Sequence, residues 1–214
     1  SRYSDNWRDV VEDDQVHLVS VCTPNETHAE ISIAALAAGK HVWCEKPMST
    51  TLADSTAMAN AAANSAGKTI IGYNYTKNPA VTHARRLIDN GVIGRVSGFF
   101  CRYDVDNEAD GNRPWSWRMS RAKSGTGSNG DVLSHVISVA HFLTNSSISR
   151  VVGDYTIVHK ERADSQAAGQ TKIVDNDDMV AALIHFENGV KGHIGASRVT
   201  WGRKCGLRWE LHGT

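Results

Sequence analysis

Apolar and polar positions along this chain follow two rhythms in turn. Residues 16–22, Val-His-Leu-Val-Ser-Val-Cys, form a nearly continuous apolar run closed by Thr23-Pro24-Asn25. Such a run predicts a strand covered on both faces, hence parallel pairing. Over residues 26–38 the spacing changes to three and four. Ile31, Ala34, Ala35 and Ala38 fall on one stripe, which predicts a helix, and Gly39 suits the left-handed position after it. Lys40-His41-Val42-Trp43 predicts a second short buried strand. It must end by Pro47, whose nitrogen has no hydrogen for a ladder. Together these make a β-α-β unit, with a right-handed crossover. Alanine-rich residues 53–66 predict a helix stopped by Gly67, and 69–73 predict a third parallel strand leading to Asn74.

Near residue 76 the pattern shifts. Residues 79–90 predict a helix with Pro79 in its first turn and Gly91 beyond its end. Longer strands are predicted at 95–103, 149–160, 178–187, 190–200 and 206–212, with Asn188-Gly189 as a hairpin turn and a helix over 127–144. The fold class is therefore an α/β domain over residues 1–76, then an α+β domain over 77–214 with a mostly antiparallel sheet. The weakly patterned stretch 105–129 holds Trp115, Trp117 and Arg118. Its tryptophans either anchor the loop by burial or line a site. The polar stretch 161–177 reads as a flexible edge or a subunit contact.

Composition narrows the function classes. The chain has 214 residues and a formal net charge of zero. No basic excess points to nucleic acid or an anionic membrane surface. No apolar run approaches the roughly 20 residues of a membrane helix, and residues 1–5 carry no signal-peptide core. The expectation is a cytoplasmic protein. Cys22, Cys44, Cys101 and Cys205 are widely spaced, without paired metal spacing. They read as reduced structural cysteines.

Three positions suggest chemistry. Lys46 falls at the carboxyl end of a strand, where open α/β sheets bind ligands. Asp131 and His135 stand four apart, on one face of a helix. His141 lies six from His135, too far round for a metal pair, and no residue at ligand spacing completes a metal site. Taken alone, Glu45-Lys46-Pro47 also fits a surface turn, and Asp131/His135 a solvated ion pair. His28 reads as a packing or capping residue before a ligand, and Tyr73 and Tyr75 as packing or substrate contacts.

The runs Val19–His28, Ala38–Val42 and Glu45-Lys46-Pro47 resemble the Gfo/Idh/MocA oxidoreductases, relatives of glucose–fructose oxidoreductase and inositol dehydrogenase. The resemblance continues through Gly72-Tyr73-Asn74-Tyr75, Asn78-Pro79-Ala80, Gly91–Gly94, Trp117-Arg118, Gly130-Asp131 with His135, and Asn188–Gly192. It covers nearly the whole chain. It implies a Rossmann-like first domain and an NAD or NADP cofactor. The reaction implied moves a hydride between the nicotinamide and a secondary hydroxyl of a sugar, inositol or related polyol. It implies Lys46, Asp131 and His135 as catalytic residues, and Thr23, Pro24, Asn25, Glu45, Lys46, Asn74, Trp117 and Arg118 on the cofactor side, with no metal. It also implies a cis Lys46–Pro47 bond and a homo-oligomer formed through the second domain's sheet.

The chemistry is coherent: an imidazole suits a general base near neutral pH, and a lysine cation favours alkoxide character on the same hydroxyl. Relatives that act as NAD-dependent glycosidases, or as dinucleotide-sensing regulators, are the alternatives. No strand–Gly-x-Gly-x-x-Gly–helix opening is present. Gly125–Gly130 matches the glycine spacing but follows a loop and reads as a flexible turn feeding a helix. The expectation is an internal fragment without its first β-α units and its last strands.

Overall fold

Strands β1 (Leu18–Val21), β2 (His41–Cys44) and β3 (Thr69–Ile71) form a parallel sheet in the order β1-β2-β3. The computed structural model describes residues 2–214. It divides into two units, one running to Gly72 with Ala122–Gly125 added, the other holding Tyr73–Arg121 and Thr126–Thr214.

In the first unit, helix α1 (Trp7–Glu12) starts at Asn6, whose side chain accepts the Arg8 N–H. A 3₁₀ turn, Asn25–Thr27, leads into α2 (His28–Ala37). Gly39 then takes the left-handed conformation, with φ of 75°, where a Cβ would be strained. Helix α3 (Leu52–Ala63) is capped by Thr51, which accepts the Asp54 N–H, and ends at Asn64 rather than running to 66. Val19, Val21, Ile31, Ala35, Leu36, Val42, Cys44 and Met58 form the core between sheet and helices.

One expectation is corrected here: the strands are covered on one face only. Leu18, Trp43 and Ile70 are exposed, because the helices of this unit all pack against the alternate residues. The apolar run looked continuous because outward-facing Leu18 and Trp43 are themselves apolar. The expected boundary near 76 compares with a division between Gly72 and Tyr73.

In the second unit, α4 (Pro79–Asp89) has Pro79 at its first position and Asn78 capping the Ala80 N–H. Strand β4 (Val96–Asp104) follows. A 3₁₀ turn, Trp117–Met119, the short α5 (Arg121–Ser124) and α6 (Ser134–Thr144) come next. The remaining strands are β5 (Ile148–Thr156), β6 (Glu161–Ala163), β7 (Thr171–Ile173), β8 (Met179–Phe186), β9 (Lys191–Ser197) and β10 (Gly206–Gly213). The main sheet runs β10-β4-β9-β8-β5. Its pairings are antiparallel except β4 with β9, which is parallel. The β8–β9 turn carries Asn188-Gly189, as expected.

Strands β6 and β7 pair as a separate hairpin inside the stretch expected to lack structure. Its alternation is only three residues long on each side, below what a pattern reveals. Helix α6 lays Val136, Val139, Ala140 and Leu143 on the sheet's inner residues Phe99, Cys101, Ile184 and Ile194, at about 1.5–3 kcal/mol for each large side chain buried. Among the described residues, no helix is long and apolar enough to cross a membrane.

Candidate functional site

The carboxyl ends of the three parallel strands carry the first set of site residues. Thr23, Pro24 and Asn25 follow β1, and Glu45 and Lys46 follow β2. The last ladder bonds place them: Glu45 N–H donates to Val21 O at 2.9 Å, and Gly72 N–H to Cys44 O at 2.9 Å. The Lys46–Pro47 bond is cis. Buried His28 braces this region from below. Its Nδ1 lies 2.8 Å from Pro47 O and its Nε2 2.9 Å from Thr23 O. One side chain thus ties the turn after β1 to the turn after β2, a bracing role beyond packing.

Glu45 carries a carboxylate beside Gly72, where a Cβ would stand 2.8 Å from Oε2. Asn25 Nδ2 donates to Ser124 O at 3.1 Å.

The second unit carries Asp131 and His135 on one continuous helical segment, but not on a plain α-helix. Asn129–Leu133 is a turn of π-helix, and α6 begins at Ser134. The extra residue in that turn changes the angle that α-helical spacing predicts between them, and no sequence pattern announces it. His135 is 7% exposed. Three tyrosines surround its ring edge-on: Tyr73 at 6.0 Å and 88°, Tyr75 at 4.9 Å and 90°, and Tyr103 at 6.0 Å and 64°. Tyr73 and Tyr75 therefore wall the imidazole. Tyr103 was missed by sequence reasoning, although Phe99, Cys101 and Tyr103 alternate inward along β4. Cys205 was missed too, and nothing around it would have signalled it. Its Sγ lies 3.3 Å from both the Tyr75 and Tyr103 hydroxyls.

Electrostatics follow from this packing. Burial pushes the Tyr103 and Tyr75 phenols up from their ordinary values. Hydrogen bonds from Tyr103 and Tyr75 hold the Cys205 thiol below its ordinary value. Cys101, buried in β4, is pushed up to about 12.

The remaining expected residues sit on two 3₁₀ turns. Asn74 does not end a strand: β3 stops at Ile71, and Asn74, itself exposed, opens a 3₁₀ turn, Asn74–Lys77. Trp117 and Arg118 share a 3₁₀ turn anchored by fully buried Met119. The Arg118 guanidinium stacks 4.4 Å above the Trp117 ring. Trp115 anchors its loop, its indole N–H donating to Ile173 O at 3.0 Å.

Comparison with known proteins gives the family. Residues 1–73 match the family model described as oxidoreductase family, NAD-binding Rossmann fold, and residues 81–214 match the GFO/IDH/MocA C-terminal domain. Levoglucosan dehydrogenase of Pseudarthrobacter phenanthrenivorans is 36% identical over 98% of this chain and 56% of its own. The 1,5-anhydro-D-fructose reductase of Ensifer adhaerens is 32% identical over 96% of this chain and 57% of its own. A solved structure of levoglucosan dehydrogenase with NADH and L-sorbose superposes with a TM-score of 0.95 at 38% identity, over 99% of this chain and 56% of that one. The chain spans about half the length of the curated relatives it matches.

Proposed function

Because the chain belongs to the Gfo/Idh/MocA oxidoreductase family, we propose that the protein oxidises a secondary hydroxyl of a neutral sugar, anhydrosugar or related polyol with a nicotinamide dinucleotide. The observation that carries this reading is buried His135, boxed by Tyr73, Tyr75 and Tyr103 on the segment that also holds Asp131. A phenol-rich wall suits a sugar, offering aromatic faces to its C–H surfaces and hydroxyls to its oxygens. Thr23, Pro24, Asn25, Glu45, Lys46, Asn74, Trp117 and Arg118 are the proposed cofactor-side residues. Bound there, NAD or NADP would supply the hydride acceptor.

The chain's own residues handle the proton. His135 takes it from the substrate hydroxyl as hydride leaves the carbon. Lys46 donates a hydrogen bond to the same oxygen and stabilises its developing negative charge. Asp131 orients the lysine or the substrate. The first domain, residues 1–76, serves the cofactor and the second, 77–214, the substrate.

The test is a panel of levoglucosan, inositols and hexoses with NAD⁺ and NADP⁺, using the full-length enzyme. Absorbance of the reduced cofactor should grow in proportion to substrate consumed. Release of a leaving group without net reduced cofactor would replace this reading with a hydrolytic one. No reaction with any member would defeat it.

The oligomer proposal concerns the outer face of the main sheet. Val152, Leu183, His193, Phe100 and Glu210 form one row across it by strand register, with Val152 75% and Leu183 63% exposed. This row is the proposed contact between copies. Leu183→Asp should shift the mass measured by light scattering to that of one chain. An unchanged mass would remove the face from the assembly.

A further inference from the structure

A helix leaves its first N–H groups without partners inside itself. At the head of the segment carrying Asp131 and His135, three successive N–H groups are taken by one residue, Asp177, from the loop before β8. Asp177 Oδ1 accepts the Gly127 N–H at 2.9 Å and Oδ2 accepts the Asn129 N–H at 2.6 Å. The carbonyl of Asp177 accepts the Ser128 N–H between them at 2.8 Å. The Ser128 side chain makes no capping bond of its own. Asp177 is 6% exposed, so its carboxylate is screened from solvent and set against the positive end of the helix.

The fit is close enough to dictate the partner residue. A Cβ on Gly127 would stand 1.8 Å from Asp177 O. Only glycine allows the approach, so Gly127 is part of a tight contact and not of a flexible turn. Asp178 fixes Asp177 from the other side. It accepts Val158 N–H at 2.7 Å and pairs with Arg198 Nε at 2.7 Å, Arg198 and Asp178 both being buried.

The bonds then run onward to the chemistry. Gly127 O accepts the Asp131 N–H at 3.0 Å. Asn129 O accepts the Ser134 N–H, the five-residue step that defines the π-turn. We infer that Asp177 is the positioning residue for Asp131 and His135: by gripping residues 127–129 it holds the π-turn in place and so sets the angle between the two side chains. Release of that grip lets the extra residue relax into α-helix. That would turn Asp131 against His135 by about 100°, the rotation per residue of an α-helix. The inference rests on the proposed dehydrogenase reading for its catalytic consequence, though not for its structural one.

Asp177→Asn is the direct test, since the amide has one acceptor and turns its NH₂ toward the other N–H. Gly127→Ala attacks the same contact from the opposite side. Leu143→Ala, fully buried at the far end of α6, is the control that loosens packing without touching the grip. In the full-length enzyme, hydrogen exchange of residues 127–135 should rise about tenfold in Asp177→Asn and Gly127→Ala, with β8 and β9 unchanged. Their kcat should fall about tenfold or more while KM for the cofactor moves less than about threefold. Leu143→Ala should lower the melting temperature yet keep its kcat. Unchanged exchange at 127–135 in Asp177→Asn overturns the inference, whatever the enzyme turns over. So does wild-type kcat in that variant, or an equal loss in Leu143→Ala. An inactive wild type would instead strike the dehydrogenase reading, leaving the exchange measurement to decide the grip.

Discussion

The hydroxyls of Tyr75 and Tyr103 lie 2.8 Å apart, and both reach the Cys205 thiol. A thiolate accepts hydrogen bonds better than a thiol does, so the two phenols favour the ionised sulfur. Its pKa sits below its ordinary value for that reason. The iodoacetamide reaction of Cys205 should therefore rise with pH earlier than that of a cysteine peptide. The double variant Tyr75→Phe/Tyr103→Phe should move the profile back up. Cys101 and Cys44, raised by burial, should stay unlabelled in the folded protein. Peptide mass spectrometry across pH reads all three. A Cys205 profile that ignores both tyrosines would show that the hydroxyls face elsewhere.

Lys46→Met or His135→Ala in the full-length enzyme should lower kcat by at least about a hundredfold, the low end for a positioned acid–base group. Asp131→Asn should cost less, since the amide keeps the shape and loses the charge. Steady-state assays with saturating cofactor settle the order. A larger loss in Asp131→Asn than in both others would invert the assigned roles.

His28→Ala removes the brace between Thr23 O and Pro47 O. The carbonyl that holds the imidazole N–H loses its hydrogen bond, at about 0.5–1.5 kcal/mol. The melting temperature should fall, and the cofactor KM should rise because both braced turns carry proposed cofactor residues. Calorimetry with parallel kinetics checks this, and an unchanged cofactor KM would confine His28 to packing.

Glu108 offers a pH prediction. Burial raises its carboxyl above the ordinary value, outweighing nearby Arg113, and its Oε2 has no hydrogen-bond partner. A carboxyl whose folded pKa is raised withdraws stability as pH climbs from the ordinary carboxylate range through the raised value. Below that range it is protonated in both states and costs nothing. Glu108→Gln should therefore raise the melting temperature at pH 7, with the gain shrinking as pH falls from the raised value to the ordinary carboxylate range. A gain that persists unchanged in acid would point to a cause other than charge burial.

Much of the fold was legible because it repeats simple periods. Ile31 and Ala35 announced α2, Pro79 and Gly91 announced α4, and Asn188-Gly189 announced the β8–β9 turn. The π-turn at 129–133 was not legible, since an inserted residue leaves no periodic trace. The outward-facing Leu18 and Trp43 misled for the opposite reason: hydrophobicity reports what a residue is, not what covers it. In the site, motif residues such as Lys46 and His135 could be read from the chain. Asp177, Tyr103 and Cys205 could not, because their importance arises from tertiary contacts with residues far away in sequence.

The parallel pairing of β4 with β9 sets Gly98 opposite Lys191, with α6, β5, both small strands and β8 strung between them. Contacts so distant in sequence form late, since the intervening chain must close as a loop first. The β8–β9 hairpin meets no such delay. Pulse-labelled hydrogen exchange during refolding should therefore protect β8 and β9 amides before those of β4. Tyr103 rides on β4, so the wall around His135 would be among the last parts of this unit to assemble. A refolding chain would then regain most of its secondary structure before it regains its chemistry.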